Sequence, residues 1–302
     1  MQRKSVILHT DIGGDIDDVW AFIMLLRQTE ILNLKMVLTD TGDTFARAAL
    51  CAKLLDGTDY PRPLLAAGIR KSTKPITHHA WLDGYDLSLY QGSFRPDGVE
   101  ALIEEVRSAA EPVTLISIGP PPSLAKALEL APDIAEKVDF VGMYGSIRRK
   151  YDGSVGCVRE YNAFYDVAAT QRVFRAPWQS FLLTPIDTCA AVVLDGELFQ
   201  RIAQSPDPLL RKLMECYRCF LRFKGEPAEH LTRSTLLCDT VGIHLASSQA
   251  FLRMEMMNLR VDDAGLTVQD NSRGMPINTA IEWTDLQGFK AFLVETLTGT
   301  GR

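Results

Sequence analysis

Short apolar runs alternate with segments of helical periodicity through most of the chain. The apolar runs are typical of buried parallel strands, and they lie at residues 5–10, 34–39, 63–67, 113–118, 138–144 and 180–183. Helical periodicity marks residues 17–29, 44–55, 99–110, 123–130 and 167–175. An alternation of this kind predicts βαβ units. We therefore expect an α/β fold with a mostly parallel open sheet flanked by helices, around a Rossmann-like core.

The chain is long enough to bury a large core, since 46% of its 302 residues are hydrophobic. No linker rich in Pro, Gly or Ser divides the sequence, and it contains no internal repeat or low-complexity tract. We therefore expect one domain that spans residues 1–302.

The balance of charge argues against nucleic acid as a partner. With 32 basic and 38 acidic residues and a net charge of -6, the chain lacks the basic excess that neutralises phosphate backbones. The apolar run behind Arg3 and Lys4 ends at His9, well short of a signal-peptide core or a membrane span. We expect a cytoplasmic protein that does not associate with membranes.

The six cysteines are scattered along the chain, and without a secretory signal this distribution indicates reduced thiols. Cys216 and Cys219 form a C-x-x-C pair within a helical segment, with no second pair at zinc-finger spacing. We expect that pair to be structural.

Acidic residues follow the first two predicted strands, at the edge of a parallel sheet where ligands bind. Residues 11–18 read DIGGDIDD and contain Asp11, Asp15, Asp17 and Asp18. One or two of these acids could cap the following helix, but four are too many for that role. Folded together at neutral pH they would repel one another, and a divalent cation removes the repulsion. Calcium accepts six to eight oxygen ligands in flexible geometry, whereas magnesium prefers a strict octahedron.

Residues 9–21, HTDIGGDIDDVWA, resemble the N-terminal motif of the inosine–uridine-preferring nucleoside hydrolases. Their motif is D-x-D-x-G-x-D-D-A-x-A, with a longer form D-I-G-x-D-x-D-D that this segment matches. The resemblance implies that Asp11 and Asp18 ligate Ca²⁺ and that Asp17 abstracts a proton from the water bound to it. Asp15 lies in the extra turn and is a further candidate ligand.

Weaker matches to the same family follow in the family's order. Residues 116–120, ISIGP, resemble a strand end at which the residue before the glycine offers its backbone carbonyl to the metal. That residue is Ile118. Residues 160–162, EYN, resemble a segment whose Glu and Asn hold the ribose hydroxyls, which implies those roles for Glu160 and Asn162.

Cys238 and Asp239 resemble the family's H-D pair, whose Asp is the last metal ligand. Cysteine here replaces a His that donates a proton to the departing purine in the better-known branches. A neutral thiol is a weak donor, so Cys238 either fills space beside the ligand or has a direct chemical role. Other candidate donors to the leaving group precede it in the chain: His230, Tyr217 and Arg233.

Two more positions depart from the family pattern. Asp43 stands where an Asn normally contacts the ribose, so either Asp43 accepts a hydrogen bond from a sugar hydroxyl or the sugar ring differs. Ser154 stands where an Asn contacts the 5′-hydroxyl. Histidines carry little signal, because His78 and His79 match the family only loosely and His244 lies on an apolar helical face.

The resemblance implies Ca²⁺-dependent hydrolysis of the N-glycosidic bond of a ribonucleoside or a related N-riboside, by a homodimer or homotetramer. The acidic site, without a Gly-rich phosphate loop, suits a neutral nucleoside. The alternative is a metal- and sugar-binding protein of the same fold with little turnover. A phosphohydrolase motif D-x-D-x-T is excluded, since it would need an acid at His9 and a threonine at Gly13.

Overall fold

A computed structural model describes residues 3–300. Within that range one sheet contains ten strands. The strands are β1 (Lys4–Thr10), β2 (Leu32–Thr39), β3 (Leu64–Ala67), β4 (Phe94–Arg95), β5 (Val113–Ser117), β6 (Val138–Met143), β7 (Ser180–Thr184), β8 (Leu252–Val261), β9 (Thr267–Gln269) and β10 (Met275–Trp283).

Twelve α-helices lie in the described range, together with short 3₁₀ helices at Leu87–Leu89 and Pro132–Lys137. The helices are α1 (Asp17–Leu26), α2 (Thr44–Leu55), α3 (His79–Leu82), α4 (Gly98–Ser108), α5 (Pro122–Leu130), α6 (Tyr161–Phe164), α7 (Val167–Arg175), α8 (Ile186–Cys189), α9 (Gly196–Ala203), α10 (Pro208–Lys224), α11 (Cys238–Ser247) and α12 (Leu286–Thr298).

The sheet is mostly parallel, as predicted. Its strand order is β4-β3-β2-β1-β5-β6-β7-β10-β8-β9, and only the pairs β10–β8 and β8–β9 among the described strands are antiparallel. The chain leaves β1 toward β2, β3 and β4 and then returns to the other side of β1 through β5. That reversal creates a topological switch point between β1 and β5, which is where open α/β sheets bind ligands.

Helices cover both faces of the sheet because the strand residues alternate between two cores. Val6 and Leu8 of β1 pack into one core, with residues of α1, α10, α11 and α12. Ile7, which points the other way, packs into the second core with α4, α5 and α7. A strand buried on both faces has no polar alternation, which is why it appears in the sequence as a continuous apolar run.

The predicted strands and helices are all present, with ends that differ by a few residues. Helix α1 ends at Leu26 and not at residue 29, because the chain tightens into turns there: Gln28 N donates to Leu25 O (3.1 Å). The C-terminal strands β8 to β10 were not predicted. All six cysteines carry free thiols, and no helix in the described range is long and apolar enough to cross a membrane.

Candidate active site

A cavity of about 510 Å³ opens beyond the carboxyl ends of β1, β5 and β6, at the switch point. Its walls come from loops and helix ends that are distant in sequence. The lining residues are Asp11, Gly14, Asp15, Asp17, Asp18, Ile118, Met143, Tyr151, Glu160, Tyr161, Asn162, Ile186, Lys224, Thr235, Leu236, Cys238 and Asp239.

Three carboxylates meet in this cavity. Asp17 and Asp18 begin α1 and Asp239 lies in the first turn of α11, and one carboxylate oxygen from each lies within 4.8 Å of the others. The two helices pack together with their N-termini at the cavity, so their dipoles favour negative charge there. A set of hard oxygen ligands at this spacing fits a divalent cation.

Burial and mutual repulsion raise the pKa of each of these acids. Loss of water is the largest cause for Asp17, Asp18 and Asp239, and the neighbouring carboxylates add to it. Thr10 Oγ1 donates to Asp18 Oδ1, and the Asp239 backbone N–H donates to Asp17 Oδ2 (3.4 Å), but these bonds offset only part of the effect. The cluster is therefore unfavourable as three bare carboxylates.

Asp11 lies directly after β1 and also lines the cavity. Its carboxylate Oδ2 lies 3.9 Å from Nη2 of Arg47, a buried arginine on α2. Burial raises the pKa of Asp11, and the Arg47 charge opposes that increase. Asp15, by contrast, is exposed at the cavity rim, where its Oδ1 accepts the backbone N–H of Ile16 (2.6 Å).

Glu160 and Asn162 are buried at the opposite wall. Glu160 caps α6: its Oε1 accepts the N–H of Asn162 (2.7 Å) and its Oε2 accepts those of Gly145 (2.9 Å) and Ala163 (3.0 Å). Burial nevertheless raises the pKa of Glu160 to about 7.

The Asn162 amide nitrogen donates to the carbonyl oxygens of Ile118 (3.3 Å) and Met143 (3.1 Å). These two bonds use both of its amide N–H groups and tie the ends of β5 and β6 together, so that the amide oxygen is its remaining polar group. The predicted carbonyl ligand, Ile118, therefore lies at the cavity wall beside a predicted sugar contact.

Cys238 begins α11 and lines the cavity beside Asp239. A hydrogen bond with the Cys189 thiol and burial hold the pKa of Cys238 well above its usual range. The thiol is therefore neutral near pH 7.

Three predicted substrate contacts lie outside the cavity lining in the described part of the chain. Asp43 caps α2 through the N–H of Ala46 and pairs with Arg70 (2.8 Å). The Ser154 hydroxyl donates to Asp152 (2.6 Å) in an exposed loop, and His230 is exposed between α10 and α11. The partners Arg70 and Asp152 therefore hold the side chains of Asp43 and Ser154 outside the cavity lining.

Arg233 is exposed and is not among the lining residues of the cavity, whereas Tyr217 and His244 are occupied by structural contacts. The Tyr217 hydroxyl donates to the Arg233 carbonyl (3.1 Å), and burial raises the pKa of Tyr217 to about 12. His244 is buried against Phe251 and Phe289, and its Nε2 hydrogen-bonds to the Ala250 carbonyl (2.8 Å), as expected for a residue on an apolar helical face.

The acids that follow β2 do not extend the carboxylate cluster. Asp40 is buried and accepts hydrogen bonds from Thr41 N (2.8 Å) and Ser123 N (2.7 Å), and it contacts His9 Nε2 (3.0 Å). Asp40 therefore fastens β1, β2 and α5 together beneath the cavity.

Several cavity residues were not predicted from the sequence. Tyr151 and Tyr161 bring aromatic rings to the mouth, and Lys224, at the end of α10, is the one basic residue among the lining residues of the described chain. Tyr161 could have been noticed because it lies between Glu160 and Asn162. Lys224 had no local signal, since a lysine in the last turn of a helix is ordinary.

Comparisons with known proteins agree with this geometry. The model of the inosine-uridine preferring nucleoside hydrolase family matches residues 6–291. A pyrimidine-specific ribonucleoside hydrolase RihA from Shewanella sp. (strain MR-4) is 26% identical, covering 97% of this chain and 96% of its own.

Two solved structures share the fold. The inosine-uridine preferring nucleoside hydrolase from Bacillus anthracis superposes with a TM-score of 0.77 at 19% identity, over 99% of this chain and 100% of the other. The plant nucleoside hydrolase PpNRh1 gives a TM-score of 0.78 at 20% identity, over 98% and 99%. The chain therefore belongs to the inosine-uridine preferring nucleoside hydrolase family and is a nucleoside hydrolase.

Proposed function

We propose that this enzyme hydrolyses the N-glycosidic bond of a ribonucleoside with the help of one bound Ca²⁺. The carboxylate cluster of Asp17, Asp18 and Asp239 carries the proposal, because its oxygens lie within 4.8 Å of one another in a cavity of about 510 Å³. That volume is within the usual range for small-molecule sites. The flexible coordination of calcium suits a mixed set of carboxylates and one backbone carbonyl.

The residues that would hold the cation are Asp11, Asp18, Asp239 and the carbonyl of Ile118. When bound, a divalent cation lowers the pKa of water and neutralises negative charge. Asp17 belongs to the same cluster but is the least buried of the three acids, so we assign to it the removal of a proton from the attacking water. Asp15, at the rim, has no part in this assignment.

Cleavage of a glycosidic bond develops positive charge on the sugar. The buried carboxylates give the cavity a negative potential that favours this charge. Glu160 has lone pairs left after its three backbone bonds, and the Asn162 amide oxygen is a further acceptor. We assign the ribose hydroxyls to these two residues. Asp43, Ser154 and His230 are left out of the assignment, because they lie outside the lining.

The base would lie toward the mouth, between aromatic and apolar side chains. Tyr151, Tyr161 and Leu236 line that region, and every nucleobase has a face that stacks on an aromatic ring. Lys224 is the candidate donor to the departing base, since the neutral, hydrogen-bonded Cys238 is poorly suited to protonate it.

The test is turnover with defined metal content. Protein stripped with a chelator is assayed with and without CaCl₂ on inosine, uridine, cytidine and a nitrophenyl riboside. The similarity to pyrimidine-specific relatives favours uridine or cytidine as substrate. We expect one Ca²⁺ per chain by elemental analysis and release of free base only in its presence.

Tight Ca²⁺ and riboside binding without release of any base would favour the alternative, a binding protein of this fold. Full turnover after metal removal would contradict the proposal. Assembly into a homodimer or homotetramer stays a prediction, which sedimentation measures independently.

A further inference from the structure

The structure places an arginine beneath the acidic loop, where the sequence showed only acids. Arg47 lies on α2, and only 8% of its side chain is exposed. Its Nε donates to the Thr41 carbonyl (3.0 Å), and its Nη1 donates to the carbonyls of Asp11 and of Ile12 (2.8 Å to the latter). One guanidinium thus joins the loop after β1 to the turn after β2.

The carbonyls that Arg47 binds lie outside regular secondary structure. Asp11 and Ile12 belong to the loop between β1 and α1, and Thr41 lies between β2 and α2. Thr41 has a φ of 59°, in the left-handed region that a β-branched residue rarely adopts, and Gly42 follows with a φ of 55°. A strained backbone persists only where its surroundings hold it, and the bond from Arg47 Nε to the Thr41 carbonyl is one such restraint.

Arg47 holds the Asp11 backbone more closely than the Asp11 carboxylate. The 3.9 Å between Nη2 and Oδ2 is too long for a hydrogen bond, so both carboxylate oxygens keep lone pairs for the cavity. Gly14 packs against the same carboxylate: a Cβ there would lie 2.9 Å from Asp11 Oδ2 and 3.6 Å from Arg47 Nη1. The carboxylate is thus confined by its neighbours while its backbone is fixed by the guanidinium.

We propose that Arg47 is a positioning residue, which fixes the backbone of Asp11 and so aims its carboxylate at the cation. The inference rests on the proposed function, in which Asp11 is a ligand. The alternative role for the same side chain is charge alone, as a buried cation that offsets the acids. The two roles differ for Arg47→Lys, because an ammonium keeps the charge but cannot span three carbonyls as the planar guanidinium does.

The matched control is Arg27, another largely buried arginine that joins separate elements. Its guanidinium donates to the Leu297 carbonyl (3.1 Å) and the Tyr60 hydroxyl (2.7 Å) and pairs with Asp207 (2.7 Å), away from the cavity lining. Arg27→Lys therefore reports the cost of losing a buried guanidinium that does not touch the acidic loop.

The experiment measures Ca²⁺ affinity by calorimetry on chelator-stripped protein, together with kcat and KM at saturating Ca²⁺. Groups that orient metal ligands typically contribute roughly 10–100-fold to affinity or activity. We expect Arg47→Lys to weaken Ca²⁺ binding by about that factor and to lower kcat more than it raises KM. Arg27→Lys should lower Tm with Ca²⁺ affinity unchanged.

Equal Ca²⁺ affinity in Arg47→Lys and wild type would overturn the positioning role and leave charge alone. Hydrogen exchange on metal-free Arg47→Lys and wild type tests the same inference without calcium. Gly14 N donates to Asp11 O (3.0 Å), an acceptor that Arg47 Nη1 also binds, so we expect the Gly14 amide to be protected in wild type and to exchange faster in Arg47→Lys. Equal exchange of that amide in the two proteins would also overturn the inference. Absence of Ca²⁺ binding by wild type would refute the proposed function, with the exchange result still valid for Arg47.

Discussion

Replacing Asp239 by asparagine should stabilise the metal-free enzyme and abolish its stabilisation by calcium. Asp239 shares the cluster with Asp17 and Asp18, and these neighbours raise its pKa after burial has done so. Asparagine keeps the shape and removes the charge. The variant is therefore more stable than wild type without metal, when the three acids repel one another. It is less stable than wild type when a bound cation is coordinated by the acids.

The magnitude follows from the spacing. Two unit charges 4.8 Å apart repel by about 3.5 kcal/mol at an effective dielectric of 20, so three ionised acids cost about 10 kcal/mol. A whole protein is stable by only about 5–15 kcal/mol, so the metal-free cluster must hold protons. Keeping one acid protonated at pH 8 costs about 1.4 kcal/mol for each unit by which the pH exceeds the ordinary pKa of that acid.

The gain from Asp239→Asn at pH 8 is therefore at most about 6 kcal/mol, since the ordinary pKa is 3.8 and protonation limits the repulsion. We expect about 2–4 kcal/mol, which for a chain of this length is roughly 3–6 °C in Tm.

The dependence on pH has a definite sign. Because the folded-state pKa values are raised, the metal-free protein binds more protons than the unfolded chain, and its stability falls as the pH rises above about 4. Calcium reverses this, since it binds the ionised acids. Calcium-dependent stabilisation should therefore grow from pH 5 to pH 8. At a concentration 100 times its Kd, it should reach about 2.7 kcal/mol, or roughly 4 °C.

The assay is thermal unfolding of chelator-stripped protein at pH 5, 6.5 and 8, with and without CaCl₂, for wild type and Asp239→Asn. Asp133→Asn is the control, because Asp133 is an exposed acid paired with Arg107. Metal-free Asp239→Asn that is no more stable than wild type at pH 8 would refute mutual repulsion among the three acids. An equal rise of both Tm values with calcium would refute a role for Asp239 in binding it.

Four other substitutions test the remaining assignments. Asp17→Asn should fold and bind riboside but lose turnover by several orders of magnitude in kcat, and near-normal rates would shift the base role to Asp15. Glu160→Gln should lower the free energy of unfolding by about 1–3 kcal/mol with or without calcium, because an amide N–H would face backbone N–H groups that now donate to the carboxylate. An unchanged Tm would contradict these hydrogen bonds. Cys238→Ala should change kcat/KM by no more than about threefold. Lys224→Met should slow the hydrolysis of natural nucleosides but not that of a nitrophenyl riboside. Equal losses of rate on both substrates would show that Lys224 is not the donor.

The carboxylate loop was predictable because its information is local. Asp11, Asp17 and Asp18 lie within one loop and the start of one helix, so any fold that forms β1 and α1 brings them to one sheet edge. The strands were predictable for a similar reason, since burial on both faces leaves apolar runs. By contrast, β8 and β10 mix buried, half-buried and exposed positions without a strict alternation, and such a mixed pattern is harder to separate from helical periodicity.

The contacts within the site were decided by the tertiary structure. Asp239 meets Asp17 across 222 positions of sequence because α1 and α11 pack side by side with their N-termini at the same cavity. Asp43 and Ser154 occupied promising positions in the sequence, yet each found a partner outside the cavity, in Arg70 and Asp152. Arg47 had no motif to mark it.

The sequence by itself thus determined most of the parallel strands and the acidic edge whose residue types suit a divalent cation, because periodicity and residue type act over a few neighbouring positions. Which side chains reach the cavity, which acids are held by a local partner, and which cation lies beneath the loop depended on helices packing across the sheet. Those contacts join residues far apart in sequence, and their hydrogen bonds are chosen only when burial removes water as the competing partner.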